Sequence, residues 1–142
     1  MKTFRLDIIT PEKTAFSADV SVITVPGGDG QMGILPGHVP IFTNLTEGEV
    51  KVVRDNEEFY LAIGGGFLEV TRDRAVILVT SAYDSSEINE QEVLNAKKRA
   101  EEALKTGVKE SDLIEAQAMF RRATIALKVL HRKRGARQQP VS

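Results

Sequence analysis

Ala75-Val76-Ile77-Leu78-Val79-Thr80-Ser81-Ala82-Tyr83-Asp84-Ser85-Ser86-Glu87-Ile88-Asn89-Glu90-Gln91-Glu92-Val93-Leu94-Asn95-Ala96 is where the chain changes character. Its first five residues are apolar and mostly β-branched, as a strand on a pleated surface prefers. Beyond Tyr83, β-branched residues thin out and Glu, Ala, Lys and Arg take over, residues that lose little rotamer freedom in a helix. This change of period predicts two parts: a β unit over 1–84 and a helical hairpin over 85–135, with a flexible tail at 136–142.

Upstream of the break, Phe4, Leu6 and Ile8 alternate with Arg5 and Asp7, a period of two. Val20-Ser21-Val22-Ile23-Thr24-Val25, Val50-Lys51-Val52-Val53 and Phe59-Tyr60-Leu61-Ala62-Ile63 continue in β-branched and aromatic residues. Thr46-Glu47-Gly48-Glu49, Asp55-Asn56-Glu57-Glu58 and Arg72-Asp73-Arg74 read as hairpin connections. Short strands at this spacing, with no helix between them, predict antiparallel sheets folded face to face as a β-sandwich or flattened barrel. Gly64-Gly65-Gly66 interrupts strand-like sequence just before Phe67. It marks a bulge or sharp corner where the chain switches sheets or another backbone comes near.

Downstream, Asn89 is placed as an N-cap, with Glu92 three residues on and acidic side chains at the positive end of the helix dipole. Val93, Ala96, Ala100, Ala103 and Leu104 form one stripe. Gly107 suits the left-handed position that ends a helix, and Ser111 or Asp112 can cap a second helix running to about Lys133. That second helix carries Leu113, Ala116, Phe120, Ala123, Leu127 and Leu130 at three- and four-residue spacing, so the pair is an antiparallel αα-hairpin. Much of its seam is alanine, each burying about one methyl, on the order of 0.8 kcal/mol. The hairpin is held together only modestly.

Composition removes whole classes of function. The 142 residues are 42% hydrophobic and 27% charged, within the soluble globular range. A formal net charge of −1 gives no global pull toward nucleic acid or an anionic bilayer. With no cysteine there is no disulfide framework, thiolate metal site or cysteine nucleophile. The two histidines, His38 and His131, fall in different halves, so no metal site is expected. No G-x-S-x-G context accompanies His38, and the acidic pairs Glu57-Glu58 and Glu101-Glu102 sit at turn or solvent-facing helical positions. The chain is therefore read as not an enzyme. No signal-peptide core follows Met1, and no stretch approaches the roughly 18 apolar residues of a membrane helix.

Half of the chain's 11 glycines and 5 prolines lie between Pro26 and Pro40. Within that run Gly28-Asp29-Gly30-Gln31-Met32-Gly33 matches the letters of a dinucleotide fingerprint, but Pro36 forbids the helix that the fingerprint requires. What remains is a shaped surface loop whose glycines allow close backbone approach, either for its own turns or for a partner. Met32, Ile34 and Leu35 beside it point to a protein partner that keeps them dry. Arg121, Arg122, Lys128, His131, Arg132, Lys133 and Arg134 make the second helix basic beyond what its dipole needs. An acidic partner or nucleic acid would account for them, although aromatic interleaving for base stacking is missing.

Gly33-Ile34-Leu35-Pro36-Gly37-His38-Val39-Pro40 followed by Gly65-Gly66-Phe67-Leu68-Glu69-Val70, on a sandwich with a helical hairpin behind it, resembles the epsilon subunits of bacterial F-type ATP synthases. The resemblance covers all but the last few residues. It implies a central-stalk rotor subunit, peripheral on the cytoplasmic side of the cell membrane, coupling proton flow to ATP synthesis. Implied partners are the gamma subunit, the membrane proteolipid ring, and the alpha and beta subunits of the catalytic head. By the same likeness Gly30, Gln31, Met32, Gly33 and His38 face the proteolipid ring. Arg121, Arg122, Lys128, Arg132 and Lys133 meet acidic residues of the head, where the hairpin inhibits ATP hydrolysis.

Some members of that family bind ATP on the hairpin through an Ile-Asp-x-x-Arg-Ala motif. Here Ile88, Asn89 and Glu92 stand at its first, second and fifth positions, with Arg99 and Arg122 as further candidate contacts. Asparagine replaces the aspartate and glutamate the arginine, so a phosphate would meet negative charge instead of a guanidinium. The expectation is no tight ATP binding and no cofactor. Two other readings, a nucleic-acid module on the basic helix and a small sandwich enzyme, leave the Pro26 to Pro40 run unexplained.

Overall fold

A computed structural model describes residues 2–106 and 109–138 of the chain, with side chains through Arg132. Gly107 and the side chains of Lys133, Arg134 and Arg137 lie outside the described residues. The chain divides between Asp84 and Ser85 into two compact units. The first is a ten-stranded, nearly closed sandwich and the second a two-helix hairpin, the fold class the change of period implies.

Strands β1 (Phe4–Ile9), β2 (Thr14–Val20), β3 (Val22–Gly27), β4 (Gly30–Ile34) and β5 (Ile41–Leu45) are followed by β6 (Gly48–Arg54) and β7 (Glu57–Ile63). Then come β8 (Gly66–Val70), β9 (Arg74–Val79) and the short β10 (Ala82–Asp84). One layer runs β10-β7-β6-β3, with β4 also paired to β3; the other runs β5-β8-β9-β1-β2. The pairing of Gly27 with Leu45 joins the two layers. Alternation places Phe4, Leu6 and Ile8 of β1 inside, with Val50 and Val52 of β6 and Ala75, Ile77 and Val79 of β9. Removing that much apolar surface from water is the main stabilising term of the unit.

Three local expectations change. Val20 to Val25 is not one strand: Ser21 is a corner, its N–H and Oγ–H both donating to the Val53 carbonyl at 2.9 and 3.0 Å. A short hydroxyl side chain satisfies the backbone there while the chain turns from one layer into the other. Thr46-Glu47-Gly48-Glu49 is not a hairpin, because β5 pairs with β3 and β8 while β6 pairs with β3 and β7. Local turn chemistry looks the same whether the next strand pairs beside the last or crosses to the facing layer. The ladder is also not wholly antiparallel, since β1 lies parallel to β9 from Arg5–Arg74 to Ile9–Leu78. By contrast, Asp55 and Asn56 form the expected tight turn, with φ of 51° and 63° between the paired Arg54 and Glu57.

The triple glycine is a corner between layers. Chain leaving β7 enters β8 on the opposite sheet, and a Cβ at Gly64 would strike Thr80 Oγ1 and sit 2.9 Å from Ser81 Oγ. A Cβ at Gly66 would fall on the Leu78 carbonyl oxygen and 2.8 Å from Val79 Cα. Only glycine permits this approach.

Asp7 is 7% exposed and ties three strands together. Ser17 Oγ donates to its Oδ1 at 2.5 Å, Arg74 Nη2 donates to its Oδ2 at 2.7 Å, and Arg5 Nε stands 3.8 Å away. The Ser17 hydrogen bond first, and Arg74 next, hold the carboxyl below its ordinary 3.8 against the opposing effect of burial. A depressed value in the fold means that the stabilisation is complete above the unfolded value and fades as pH falls through the folded one. Asp7→Asn is therefore expected to lower stability at pH 7 by about 1.5–3 kcal/mol, the range for hydrogen bonds to a charged group. Urea titrations at neutral pH and below about pH 3 should show the gap narrowing in acid. A gap unchanged by pH would mean that the carboxylate charge contributes nothing.

In the second unit a short 3₁₀ turn, Ser85–Glu87, leads to α1 (Glu90–Lys105) and α2 (Glu110–Gln138). Asn89 caps α1, its side-chain oxygen accepting from the Glu92 N–H at 3.1 Å. Helix α2 begins at Glu110, so Ser111 and Asp112 lie in its first turn and not at the cap. Asp112 is still favourably placed there against the positive helix end. Ala100 is buried in α1, and Ala116, Ala123, Leu127 and Leu130 are buried in α2, along the stripes that the spacing predicts. Val129, outside that stripe, is fully buried as well. Lys97 Nζ stands 5.6 Å from the Phe120 ring centroid, a cation–π contact between the helices that adds to the thin alanine seam.

Candidate functional site

The glycine-proline run folds into two consecutive turns. Gly28-Asp29 is a two-residue connection between the paired Gly27 and Gly30, with Gly30 at φ +126°. Gly30, Gln31, Met32 and Gly33 are strand, paired with β3 in a register that runs from Gly27–Gly30 to Ile23–Ile34. Gln31 and Gly33 are exposed, whereas Met32 and Ile34 turn to the core, Ile34 fully buried. Met32 packs so closely on Gly27 that a Cβ there would sit 2.9 Å from its Sδ. The expectation that Met32 and Ile34 need a partner to stay dry is thus corrected: the sandwich core buries Ile34 and packs against Met32, which is partly buried. Leu35, at 58% exposure, is left outside.

The second turn spans Leu35 to His38, where the His38 N–H donates to the Leu35 carbonyl at 3.1 Å. Pro36 fixes the first central residue, and Gly37, at φ +78°, supplies the left-handed second one. His38 Nδ1 lies 2.7 Å from the Val39 carbonyl oxygen, which can only accept, so Nδ1 donates in this contact. Val39 is 71% exposed. Among the five residues singled out in the sequence, Gly30, Gln31 and Gly33 are therefore surface, His38 is half-buried, and Met32 is half-buried with its side chain against the core.

A larger surface feature escapes sequence reading. On the outer side of β5, β8, β9 and β1, the register aligns Asn44, Phe67, Leu78 and Ile9 in one row across the strands, and Phe42, Glu69, Val76 and Asp7 in the next. Phe42 and Phe67 stack with ring centroids 5.5 Å apart and planes at 19°. Both are exposed, and so is Leu78. A groove of about 870 Å³ adjoins them, lined by Ile9, Pro11, Gly65, Gly66, Phe67 and Leu78 among others. The only sequence signal for this face is that Phe67 and Leu78 fall out of phase with the inward residues Leu68, Ile77 and Val79.

On the hairpin, Arg121, Lys128 and Arg132 fall on one exposed side of α2 by their seven- and four-residue spacing, with Arg122 a quarter-turn away. Arg121, Arg122 and Arg132 already have partners within the chain. The candidate nucleotide contacts separate. Ile88, Asn89 and Glu92 sit at the entry of α1, with the Asn89 oxygen occupied as a cap, and Arg99 is two turns, roughly 10 Å, beyond Glu92. Arg122 is on the other helix. Among the described residues no group of three or more His, Cys, Asp or Glu could hold a metal ion, and no helix is long and apolar enough to cross a membrane.

Comparison with known proteins follows this division. Residues 3–85 match the family described as ATP synthase, Delta/Epsilon chain, beta-sandwich domain, and residues 86–130 match its long alpha-helix domain. The chain is 42% identical over 135 residues to the ATP synthase epsilon chain of Dehalococcoides mccartyi, covering 94% of this chain and 96% of that one. It is 39% identical over 127 residues to that of Desulforamulus reducens, covering 89% and 96%. In fold it is similar to a chain of the Euglena gracilis mitochondrial ATP synthase, OSCP/F1/c-ring, with a TM-score of 0.67 at 21% identity, over 96% of this chain and 82% of that one.

Proposed function

This chain belongs to the ATP synthase epsilon-chain family, and from that premise we propose that it is a non-catalytic rotor subunit of the central stalk, coupling proton flow to ATP synthesis. The observation that carries the reading is the exposed outer row of the sandwich. Stacked aromatics at 67% and 46% exposure beside an apolar groove are a surface for a permanent protein neighbour, not for bulk water. On this reading the gamma subunit covers that face. The β3–β4 hairpin with Gly30, Gln31 and Gly33, and the turn that carries His38, Leu35 and Val39, rest on the membrane proteolipid ring. The chain itself is then peripheral, on the cytoplasmic side of the cell membrane, and other subunits hold it there.

The hairpin is the regulatory part, meeting the alpha and beta subunits through Arg121, Arg122, Lys128, Arg132 and Lys133 and restraining ATP hydrolysis. Its nucleotide corner is inactive. Asn89 is engaged as a cap, and Glu92 sets a carboxylate where a phosphate would need a cation. Isothermal calorimetry with micromolar ATP is expected to give no saturable isotherm, and a clear sub-micromolar one would overturn this part. The reading as a whole is tested by affinity purification of the tagged chain from its own cells. Stoichiometric recovery of gamma, alpha and beta is expected, and recovery of none of them would end it.

A further inference from the structure

Across the strands, the outer row Ile9, Leu78, Phe67 advances one strand per side chain, about 4.8 Å each. A helix rises 5.4 Å per turn, so one laid across β1, β9 and β8 sets one side chain, three or four residues after the last, against each of these positions. An extended segment lying the same way would match poorly, because its same-face side chains recur nearly 7 Å apart.

The neighbouring row adds a charge. Of Phe42, Glu69, Val76 and Asp7, two are ionisable, and Asp7 is already matched by Ser17, Arg74 and Arg5. Glu69 is exposed, stands opposite Phe42 on one side and Val76 on the other, and has no ion-pair partner among the described residues. A carboxylate set among apolar neighbours is weakened when a partner removes its water, unless that partner brings a cation.

We propose that this face binds an amphipathic helix of its partner lying across β8, β9 and β1, with aliphatic side chains at i, i+4 and i+7 on Phe67, Leu78 and Ile9, and a lysine or arginine on the flank facing Glu69. The apolar row supplies affinity, and Glu69 fixes which way the helix runs, because only one direction brings the cation to it. This inference rests on the gamma subunit being the occupant, so the purified gamma subunit is the probe.

Binding of the full-length chain to gamma is measured for Phe67→Ser, Leu78→Ser, Glu69→Gln and Glu69→Lys, with thermal unfolding as the control for folding. Glu69 is exposed and its variants should melt with the wild type, whereas Phe67 and Leu78 are about half exposed, so the serine variants should stay folded with a modest drop in melting temperature. Each serine variant is expected to weaken binding about tenfold or more. Glu69→Lys should match them, and Glu69→Gln should flatten the salt dependence of the association. Photo-crosslinkers placed singly at Ile9, Leu78 and Phe67 should label gamma at sites three or four residues apart on one helix. If gamma binds the wild-type chain but the serine variants bind equally well, or the labelled sites scatter over several segments, the helix assignment is overturned and the rotor reading stands. If the wild-type chain does not bind gamma at all, both fall.

Discussion

Gly66→Ala is expected to unfold the sandwich under conditions where the parent chain is fully folded. The added Cβ falls on the Leu78 carbonyl oxygen and 2.8 Å from Val79 Cα, and both are backbone atoms of the strand to which residue 66 is paired. No rotamer change relieves a backbone clash. The β8–β9 ladder has to part at its end, exposing Leu68 and Ile77, which are fully buried. Effects of this kind belong to the exceptional class above about 4 kcal/mol. In a unit of this size that is roughly 15 °C or more of melting temperature. The measurement is unusually clean, because the chain has 2 tyrosines and no tryptophan, and both Tyr60 and Tyr83 are in the sandwich, so tyrosine signals report that unit alone. Gly28→Ala, where an added Cβ meets nothing within 4 Å, is the matched control and should melt with the wild type. A Gly66→Ala chain melting within a few degrees of its parent would mean that the corner is softer than its geometry implies.

The second large effect concerns function. Ending the chain before Ile88 removes both helices and, by the boundary between the units, leaves the sandwich whole. The assembled complex should retain the shortened chain, because the apolar outer face belongs to the sandwich. Its ATP hydrolysis should rise about fivefold or more, the effect of an inhibitory coupling of roughly 1 kcal/mol. Neutralising Arg121, Arg122, Lys128, Arg132 and Lys133 together should give part of that rise while keeping the helices. Unchanged hydrolysis in the truncated complex would remove the regulatory role from the hairpin and leave the stalk role untouched.

Both outcomes depend on features of differing visibility in the sequence. The boundary near Tyr83 was legible because the apolar period changes there, and Asn89 was legible as a cap because capping is local chemistry. The Gly64 to Gly66 corner was also legible, since three glycines inside a strand pattern demand close backbone approach. What could not be read was pairing over distance. Nothing near Thr46 tells whether the next strand returns beside the last or crosses to the other layer, and nothing near Arg5 announces Arg74 as its neighbour. Ser21, a single polar residue in an apolar run, gave no sign of a corner, because its partner Val53 lies far along the chain. The candidate site suffered in the same way. Gly30 to Gly33 reads as loop because glycine is poor in strands, yet pairing with β3 makes it β4 and turns Met32 inward. The Phe42–Phe67–Leu78 face exists only once three strands are in register, so no window of sequence contains it.

The parallel placement of β1 against β9 has a consequence for how the molecule is made. Within the sandwich, β1 is synthesised first and can pair with β2 at once, but its other edge stays open until β9, nearly the last strand of the unit, has been synthesised. Such a long-range closure is slow and comes late in folding. Through most of synthesis the nascent chain therefore carries an open edge ready to pair with the wrong strand, a hazard that ends only when β9 zips in.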